Sequence, residues 1–409
     1  MPSSPDPTQD PLHDLPRDPA AIATWITRQA TVAIDPRFML DGLGRMLNAA
    51  GVPVVRINIA AATLSTLHRG IDLTWWRETG VSIETVVHGA EGEAIFGRSV
   101  MAAMLEDERT SARWRIETGD GCNRMPTLEA LRRRGCTDYL LDAVRFPPDT
   151  AIRGVGLSYA TDRPGGFTED DVARIAEHRD ALGLAVLRLS LSRSMENLLG
   201  AYVGERTAGR IMAGQVRRGQ GELMEAAILL VDLKGFTATA DREDPLRLVG
   251  WLDEHLEALG RSVDRNGGEI LKFTGDGFIA VFPVMQPEAS PCRACEGALA
   301  AARAGLAYNR TLEAQRRAAG EPSLEADLAL HFGQVVYGNI GTASRLDFTA
   351  IGRAVNEASR IETLCDATGR NILMSDSFAQ RCASGQIDLG LFPLRGVATP
   401  QRLWTVSEA

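Results

Sequence analysis

Two aspartates in the C-terminal half of the chain stand where carboxylates can do phosphate chemistry. The first, Asp232, follows the apolar run Ala226-Ala227-Ile228-Leu229-Leu230-Val231 and precedes Leu233-Lys234-Gly235-Phe236-Thr237. That order reads as a buried strand ending in an acid, then a glycine-containing turn into a helix. Such an acid can hold a hard cation, and the free N–H groups of a helix start can receive phosphate oxygens. These are the two requirements of a magnesium-triphosphate site. The second, Asp276, sits at the tip of a predicted hairpin, Glu269-Ile270-Leu271-Lys272-Phe273-Thr274-Gly275-Asp276-Gly277-Phe278. Lys272 shares the face of Asp276 if the hairpin stays regular. A third group is Asn356 and Arg360, four residues apart on a predicted helix that begins near Gly352. They lie one turn apart on one face, where an amide and a guanidinium can grip an anion together. Each feature also has a plain structural explanation. D-x-x-G turns are common, Asp and Gly suit a turn by themselves, and Asn356 with Arg360 fits a solvated helix face.

The elements that must position these residues are drawn from a chain of 409 residues, enough for two or three domains with cores of their own. Hydrophobic residues at 44% and charged residues at 24% are those of a folded protein. A formal net charge of -9 argues against non-specific nucleic-acid binding. No apolar run approaches the ~18 residues of a membrane-spanning helix. The first 19 residues are rich in Pro and Asp and lack a basic-then-apolar signal pattern, so they read as a disordered leader on a cytoplasmic protein. Of six scattered cysteines only Cys292 and Cys295 have metal-ligand spacing. No second pair completes a tetrahedral site, and both are expected on the first turn of an Ala-rich helix after Pro291.

Residues 20–190 alternate helical and strand patterns. Val54 to Ile59 and Gly154 to Tyr159 have strand character, and Thr168 with Asp171 forms the capping box of a following helix. Trp75 and Trp76 read as aromatic core, with pocket lining as the alternative. In the connector, apolar residues fall at Leu184, Leu187, Leu191, Met195, Leu198 and Tyr202. The spacing suits a short coiled coil with one stutter, or one side of an ordinary amphipathic helix. The segment from Gln215 to Glu222 then breaks the helix before the first strand of a second domain.

The three chemical blocks, in this order, resemble the class III nucleotidyl cyclase catalytic domain. The likeness runs from about Glu225 to Trp404: the D-x-x-G-F-T turn, the K-x-x-G-D-G hairpin, the segment from His331 to Gly341 and the V-N-x-A-S-R helix. It implies an α+β fold, a ferredoxin-like palm (βαββαβ) that pairs head to tail with a second copy. It implies that Asp232, Leu233 and Asp276 hold two Mg²⁺ or Mn²⁺ ions per active site, and that Arg360 stabilises charge on the α-phosphate. Asn356 would position the ribose, Phe236 and Thr237 would lie against the substrate, and Arg395 would contact the terminal phosphates. Lys272 matches the lysine that selects adenine. Thr349, seven residues before Asn356, stands where many relatives have Asp and is similar to the subgroup containing bicarbonate-responsive cyclases. Arg353 stands where relatives often have Asp or Asn.

The activity so implied is adenylate cyclase, ATP to cyclic AMP and pyrophosphate, at a homodimer interface. In the family, the metal aspartates come from one protomer and Lys272, Thr349, Asn356 and Arg360 from its partner. The end of the 20–190 segment, a strand, Pro164-Gly165-Gly166 and a helix opening F-T-E-D-D, resembles the end of GAF domains. The expected organisation is a leader (1–19), a GAF-like α/β sensor (20–190), a helical linker (191–222) and the cyclase domain (223–409), with a small molecule or bicarbonate as regulator. Three rivals fit less well. A diguanylate cyclase would explain Gly267-Gly268-Glu269-Ile270 but has no place for Lys272, Asn356 and Arg360. A guanylate cyclase usually carries Glu and Cys where Lys272 and Thr349 stand. A catalytically dead palm usually lacks a metal aspartate or the arginine, and both are kept here.

Overall fold

A computed structural model describes residues 18–32, 35–147, 150, 152–284, 290–383 and 385–407, so the expected leader lies almost wholly outside the described residues. The chain divides into two compact units, Met1–Leu198 and Leu199–Ala409.

The N-terminal unit is built on a six-stranded antiparallel sheet. Its strands are β1 (Arg56–Ala62), β2 (His68–Trp76), β3 (Gly80–Val87), β4 (Ser111–Trp114), β5 (Asp138–Arg145) and β6 (Gly154–Thr161), in the order β3-β2-β1-β6-β5-β4. Its helices are α1 (Pro19–Thr31), α2 (Pro36–Ala49), α3 (Ala90–Gly97), α4 (Val100–Glu106), α5 (Pro126–Arg133), α6 (Glu169–Glu177) and α7 (Arg179–Val203). Alternation along β1 sends Ile57, Ile59 and Ala61 into a core shared with Leu73, Trp75, Leu157 and Tyr159 of the sheet. Ile26 of α1, Leu43 of α2, Ile175 of α6 and Leu182 of α7 close that core. The opposite face is packed by Met104 of α4 and by Leu128 and Leu131 of α5, against Trp114, Tyr139 and Leu141. The capping box forms: Asp171 N–H donates to Thr168 Oγ1 (3.1 Å) and Thr168 N–H to Asp171 Oδ2 (2.7 Å). Trp75 is core, its Nε1 donating to Asp41 (2.8 Å), whereas Trp76 points to the other face.

Helix α7 carries the connector and leaves Leu184, Leu191, Met195 and Tyr202 exposed along it. The connector is two helices rather than one, because Gly204 takes a positive φ and α8 (Glu205–Met212) starts after it. Glu269 fixes the start of α8: its carboxylate accepts from Arg206 N–H (2.9 Å), Thr207 N–H (3.2 Å) and the Tyr337 hydroxyl (2.9 Å).

In the C-terminal unit the chain runs β7 (Gly221–Leu233), α9 (Phe236–Ala240), α10 (Pro245–Gly260), β8 (Glu269–Phe273), β9 (Gly277–Pro283), α11 (Pro291–Ala318) and β10 (Ala326–Gly341). Then follow β11 (Leu346–Ile351), α12 (Arg353–Glu362), α13 (Cys365–Thr368), β12 (Ile372–Ser375), α14 (Asp376–Ala379), β13 (Gln386–Phe392) and β14 (Gln401–Val406). The sheet order is β13-β14-β12-β10-β7-β9-β8, with β11 on β10. Its centre, β10-β7-β9-β8 connected through α10 and α11, is the βαββαβ arrangement. The unbroken apolar run of β7 is explained by burial on both faces. Ala227, Leu229 and Val231 face one core with Leu259 of α10 and Ala302 of α11, while Ala226, Ile228 and Leu230 face a second with Ala358 of α12. Cys292 falls on the first turn of α11, which Ser290 caps, whereas Cys295 is the fifth residue of the helix, at the start of its second turn.

Candidate active site

The two aspartates meet at one end of β7. Asp232 is the penultimate residue of that strand and lies opposite Gly277 of β9 and Asp327 of β10. Asp276 occupies the turn between β8 and β9, and its carbonyl accepts the Leu233 N–H at 3.2 Å. The turn can come this close because position 277 is glycine: a Cβ there would stand 2.0 Å from the Val231 carbonyl oxygen. Burial first, then the Asp276 carboxylate beside it and Asp327 beyond, pushes the Asp232 carboxyl up to about 6.

Three acids that sequence reasoning missed add to this field. Burial and then Asp232, Asp327, Asp366 and Asp276 push Glu362, at the end of α12, up to about 7. The nearby cation is already engaged, because Lys234 Nζ reaches Asp327 at 3.1 Å and Asp366 at 2.9 Å. Burial alone would lower the Lys234 ammonium, and these two carboxylates more than offset it. The region is thus richer in negative charge than the fold itself neutralises.

Among the described residues, no three acidic, His or Cys side chains form a complete metal cage. Two carboxylates without a complete cage still fit Mg²⁺ or Mn²⁺, because such ions are usually held by one or two acids with water and substrate phosphates. Leu233 is available only through its main chain, its side chain being in the core. Phe236 opens the short α9 and packs against the same core, and the Thr237 side chain lies outside the described residues.

The base-reading candidates stand apart from the acids. The hairpin is not regular: a register shift between Ile270 and Lys272 breaks the alternation that would place Lys272 with Asp276. Instead, Lys272 Nζ reaches Asp347 Oδ2 of β11 at 3.3 Å, both side chains being half exposed. Thr349 is two residues beyond Asp347 on the same face of β11, since Phe348 and Ala350 between and after them are buried. Asp347 went unread in the sequence, because only the approach of β11 to β8 makes it a neighbour of Lys272.

Helix α12 buries Ala354, Ala358 and Ile361, which leaves Asn356 exposed and Arg360 half-buried on its other side. The Arg360 guanidinium lies against Gly396, next to the exposed Arg395, and has no ion pair among the described residues. Arg353 pairs with Glu357 (2.6 Å), which also approaches His331 (3.4 Å). The unusual arginine therefore belongs to a contact within α12 and its strand. No hydrogen bond or ion pair among the described residues joins Lys272, Thr349, Asn356 or Arg360 to Asp232 or Asp276.

Residues 220–392 match the family model "Adenylate and Guanylate cyclase catalytic domain". The C-terminal unit thus carries a class III adenylate/guanylate cyclase catalytic domain. The adenylate cyclase of Anabaena cylindrica is 33% identical over 159 residues, 39% of this chain and 31% of that protein. Adenylate cyclase 1 of Rhizobium meliloti is 30% identical over 161 residues, 39% of this chain and 23% of that one. The chain therefore spans about a third or less of the length of these two curated relatives. Among solved structures, the adenylyl cyclase CyaB from P. aeruginosa is 26% identical with a TM-score of 0.43, covering 46% of this chain and 97% of that one. The guanylyl cyclase Cya2 is likewise 26% identical, with a TM-score of 0.40 over 46% and 93%.

Proposed function

We propose that the protein is an adenylate cyclase that converts ATP to 3′,5′-cyclic AMP and pyrophosphate. The observation that carries this reading is the side-by-side placement of Asp232 and Asp276, neither of which has an ion pair among the described residues, in a domain that matches the cyclase family. Asp232 and Asp276, with the Leu233 main chain, would hold two Mg²⁺ or Mn²⁺ ions. When bound, such ions neutralise triphosphate charge and favour ionisation of the ribose 3′-hydroxyl. The 3′-oxygen forms a bond to the α-phosphorus while the bond to pyrophosphate breaks. Arg360, with no ion pair among the described residues, is left to stabilise the charge that develops on the α-phosphate. Asn356, one turn away, orients the ribose. Arg395, together with the chain at Phe236 and Thr237, receives the remaining phosphates.

Base choice rests on Lys272. An ammonium donates to adenine N1, whereas guanine presents N1–H and cannot accept it. Asp347 holds the ammonium on the exposed face, and Thr349 stands two residues further along the same face of β11.

The separation of the two halves of the site within one chain supports a symmetric homodimer, in which each protomer supplies the acids of one site and the Lys272, Thr349, Asn356 and Arg360 set of the other. The exposed apolar stripe of α7 supports pairing through that helix as well. We read the N-terminal unit, an antiparallel sheet with helices from both ends of its sequence on one face, as a GAF-like sensor that regulates the palms. Thr349 motivates bicarbonate as an activator, which a flat response to bicarbonate at fixed pH would exclude.

The test is to incubate the purified chain with ATP or GTP and Mn²⁺ and to quantify both cyclic nucleotides. Cyclic AMP from ATP, lost in Asp276→Asn, is the expected result. Cyclic GMP alone would overturn the base assignment, and turnover surviving in Asp276→Asn would overturn the site.

A further inference from the structure

The sheet face of the N-terminal unit opposite its main core carries charge that the fold does not satisfy. Strand register places Arg56 of β1 directly between Trp76 of β2 and Ala160 of β6, and Asn58 between Thr74 and Ser158. On the β5 side the same face presents Tyr139. The end of the face near β4 is sealed by the apolar residues of α4 and α5, but around Arg56 it stays partly open to solvent. The Arg56 guanidinium makes one long hydrogen bond, Nη1 donating to Ser158 Oγ at 3.3 Å, and lies beside the buried Tyr139 hydroxyl. Among the described residues it has no ion pair. Asp72, the nearest acid on this face, acts on it only at a distance and is itself hydrogen-bonded by Asn58 (3.4 Å). A second guanidinium, that of the exposed Arg134, stands 3.6 Å from the centre of the Trp76 ring, with Arg56 at 5.8 Å from the same ring. Arg134 has no ion pair among the described residues either.

A guanidinium withdrawn from water without a carboxylate is costly, and proteins rarely keep one that serves only the scaffold. Two of them beside one indole can together receive the planar or tetrahedral oxygens of an anion. Burial lowers the Arg56 pKa, and the surrounding phenol and distant carboxylate only partly offset this, as expected of a group whose counter-charge comes from outside. We propose that this face is a binding site for a small organic anion, its carboxylate or phosphate group received by Arg56 and Arg134 beside Trp76, with the buried Ser158 and Tyr139 hydroxyls holding Arg56 in place from behind.

The experiment follows thermal unfolding of the full chain during titration with inorganic phosphate and, separately, with succinate, using chloride at matched ionic strength as the control. One of the two anions should raise the melting temperature beyond chloride; phosphate alone would mark a phosphorylated ligand and succinate alone a carboxylate. Loss of a charge-assisted hydrogen bond in Arg56→Met should raise the half-saturating concentration roughly ten- to hundredfold. Without anion, Arg56→Met should melt no lower than the parent, because a charge that has no partner is removed. A comparable change at the exposed Arg28→Met should do nothing. If Arg56→Met does not fold, Arg134→Met decides, because its side chain is exposed and its loss should weaken the anion effect alone. No shift beyond chloride with either anion, or an equal shift in the Arg56 and Arg134 variants, would overturn the proposal.

Discussion

Asp138 in the N-terminal unit and Asp232 in the C-terminal unit are both carboxylates withdrawn from water in a sheet, and they have opposite surroundings. Asp138 has no exposed surface, and both its oxygens are engaged. It accepts from Arg113 Nε (3.0 Å) and Nη2 (2.7 Å), and from the Tyr139 and Phe167 N–H groups (3.0 Å each). Asp232 has a second aspartate beside it and a third opposite, and the one nearby lysine is held by other acids. A buried acid with both oxygens engaged by donors of the fold ties β5 to the start of α6 and serves the scaffold rather than a ligand. An acid surrounded by acids costs stability until a cation arrives, and that cost marks it as functional rather than structural.

The comparison fails or holds first on Asp276→Asn. Cyclase turnover should fall roughly a thousandfold or more, the effect expected when a group serving transition-state charge is lost. Thermal stability without metal should stay level or rise, because one of two facing carboxylates becomes neutral. Asp138→Asn should do the reverse. Breaking a buried ion pair costs about 3 kcal/mol or more, since Arg113 would keep only the exposed Glu169 as an acidic partner (2.9 Å). Chemical denaturation followed on the N-terminal transition measures it. Equal stability losses in the two variants would dissolve the distinction between a structural and a functional acid.

Lys272→Glu sharpens the comparison within the active site. It removes a donor to adenine N1 but touches neither aspartate, so cyclic AMP formation should fall roughly ten- to hundredfold while divalent-cation binding persists. The Lys272–Asp347 pair is half exposed, so its loss should leave the melting temperature within the small range of surface ion pairs. Unchanged ATP preference in this variant would remove Lys272 from base selection.

What the sequence made legible was local. Asp232 could be read because a buried strand and its turn are consecutive, and Asn356 with Arg360 because helical spacing sets their face. Glu362, Asp327, Asp366 and Asp347 could not, because each joins the site only through pairing of β7 with β10, docking of α12, or the approach of β11 to β8. The register shift after Ile270, which turns Lys272 away from Asp276, has no signature in residue types. Arg56 was hidden for a related reason. Val-Arg-Ile-Asn-Ile is the pattern of a strand with one wet face, and only the register against Trp76 and Ser158 shows that face to be half enclosed.

The smallest expected effect concerns an unsatisfied group in the N-terminal unit that no ligand is needed to explain. His178 is fully buried at the end of α6, edge-on to Tyr159, with neither ring nitrogen hydrogen-bonded. Burial lowers its pKa from 6.5 to about 4. The unfolded chain therefore takes up a proton at higher pH than the folded one. The neutral ring's contribution is fully present above about pH 6.5 and is lost as pH falls through about 4. Between about pH 7.5 and 5 the N-terminal transition should lose about 2 kcal/mol from this residue. His178→Phe, which keeps an aromatic ring against Tyr159, should flatten that part of the pH profile without affecting anion binding at Arg56. A profile that stays steep in the variant would assign the acid sensitivity to other groups and leave His178 as packing alone.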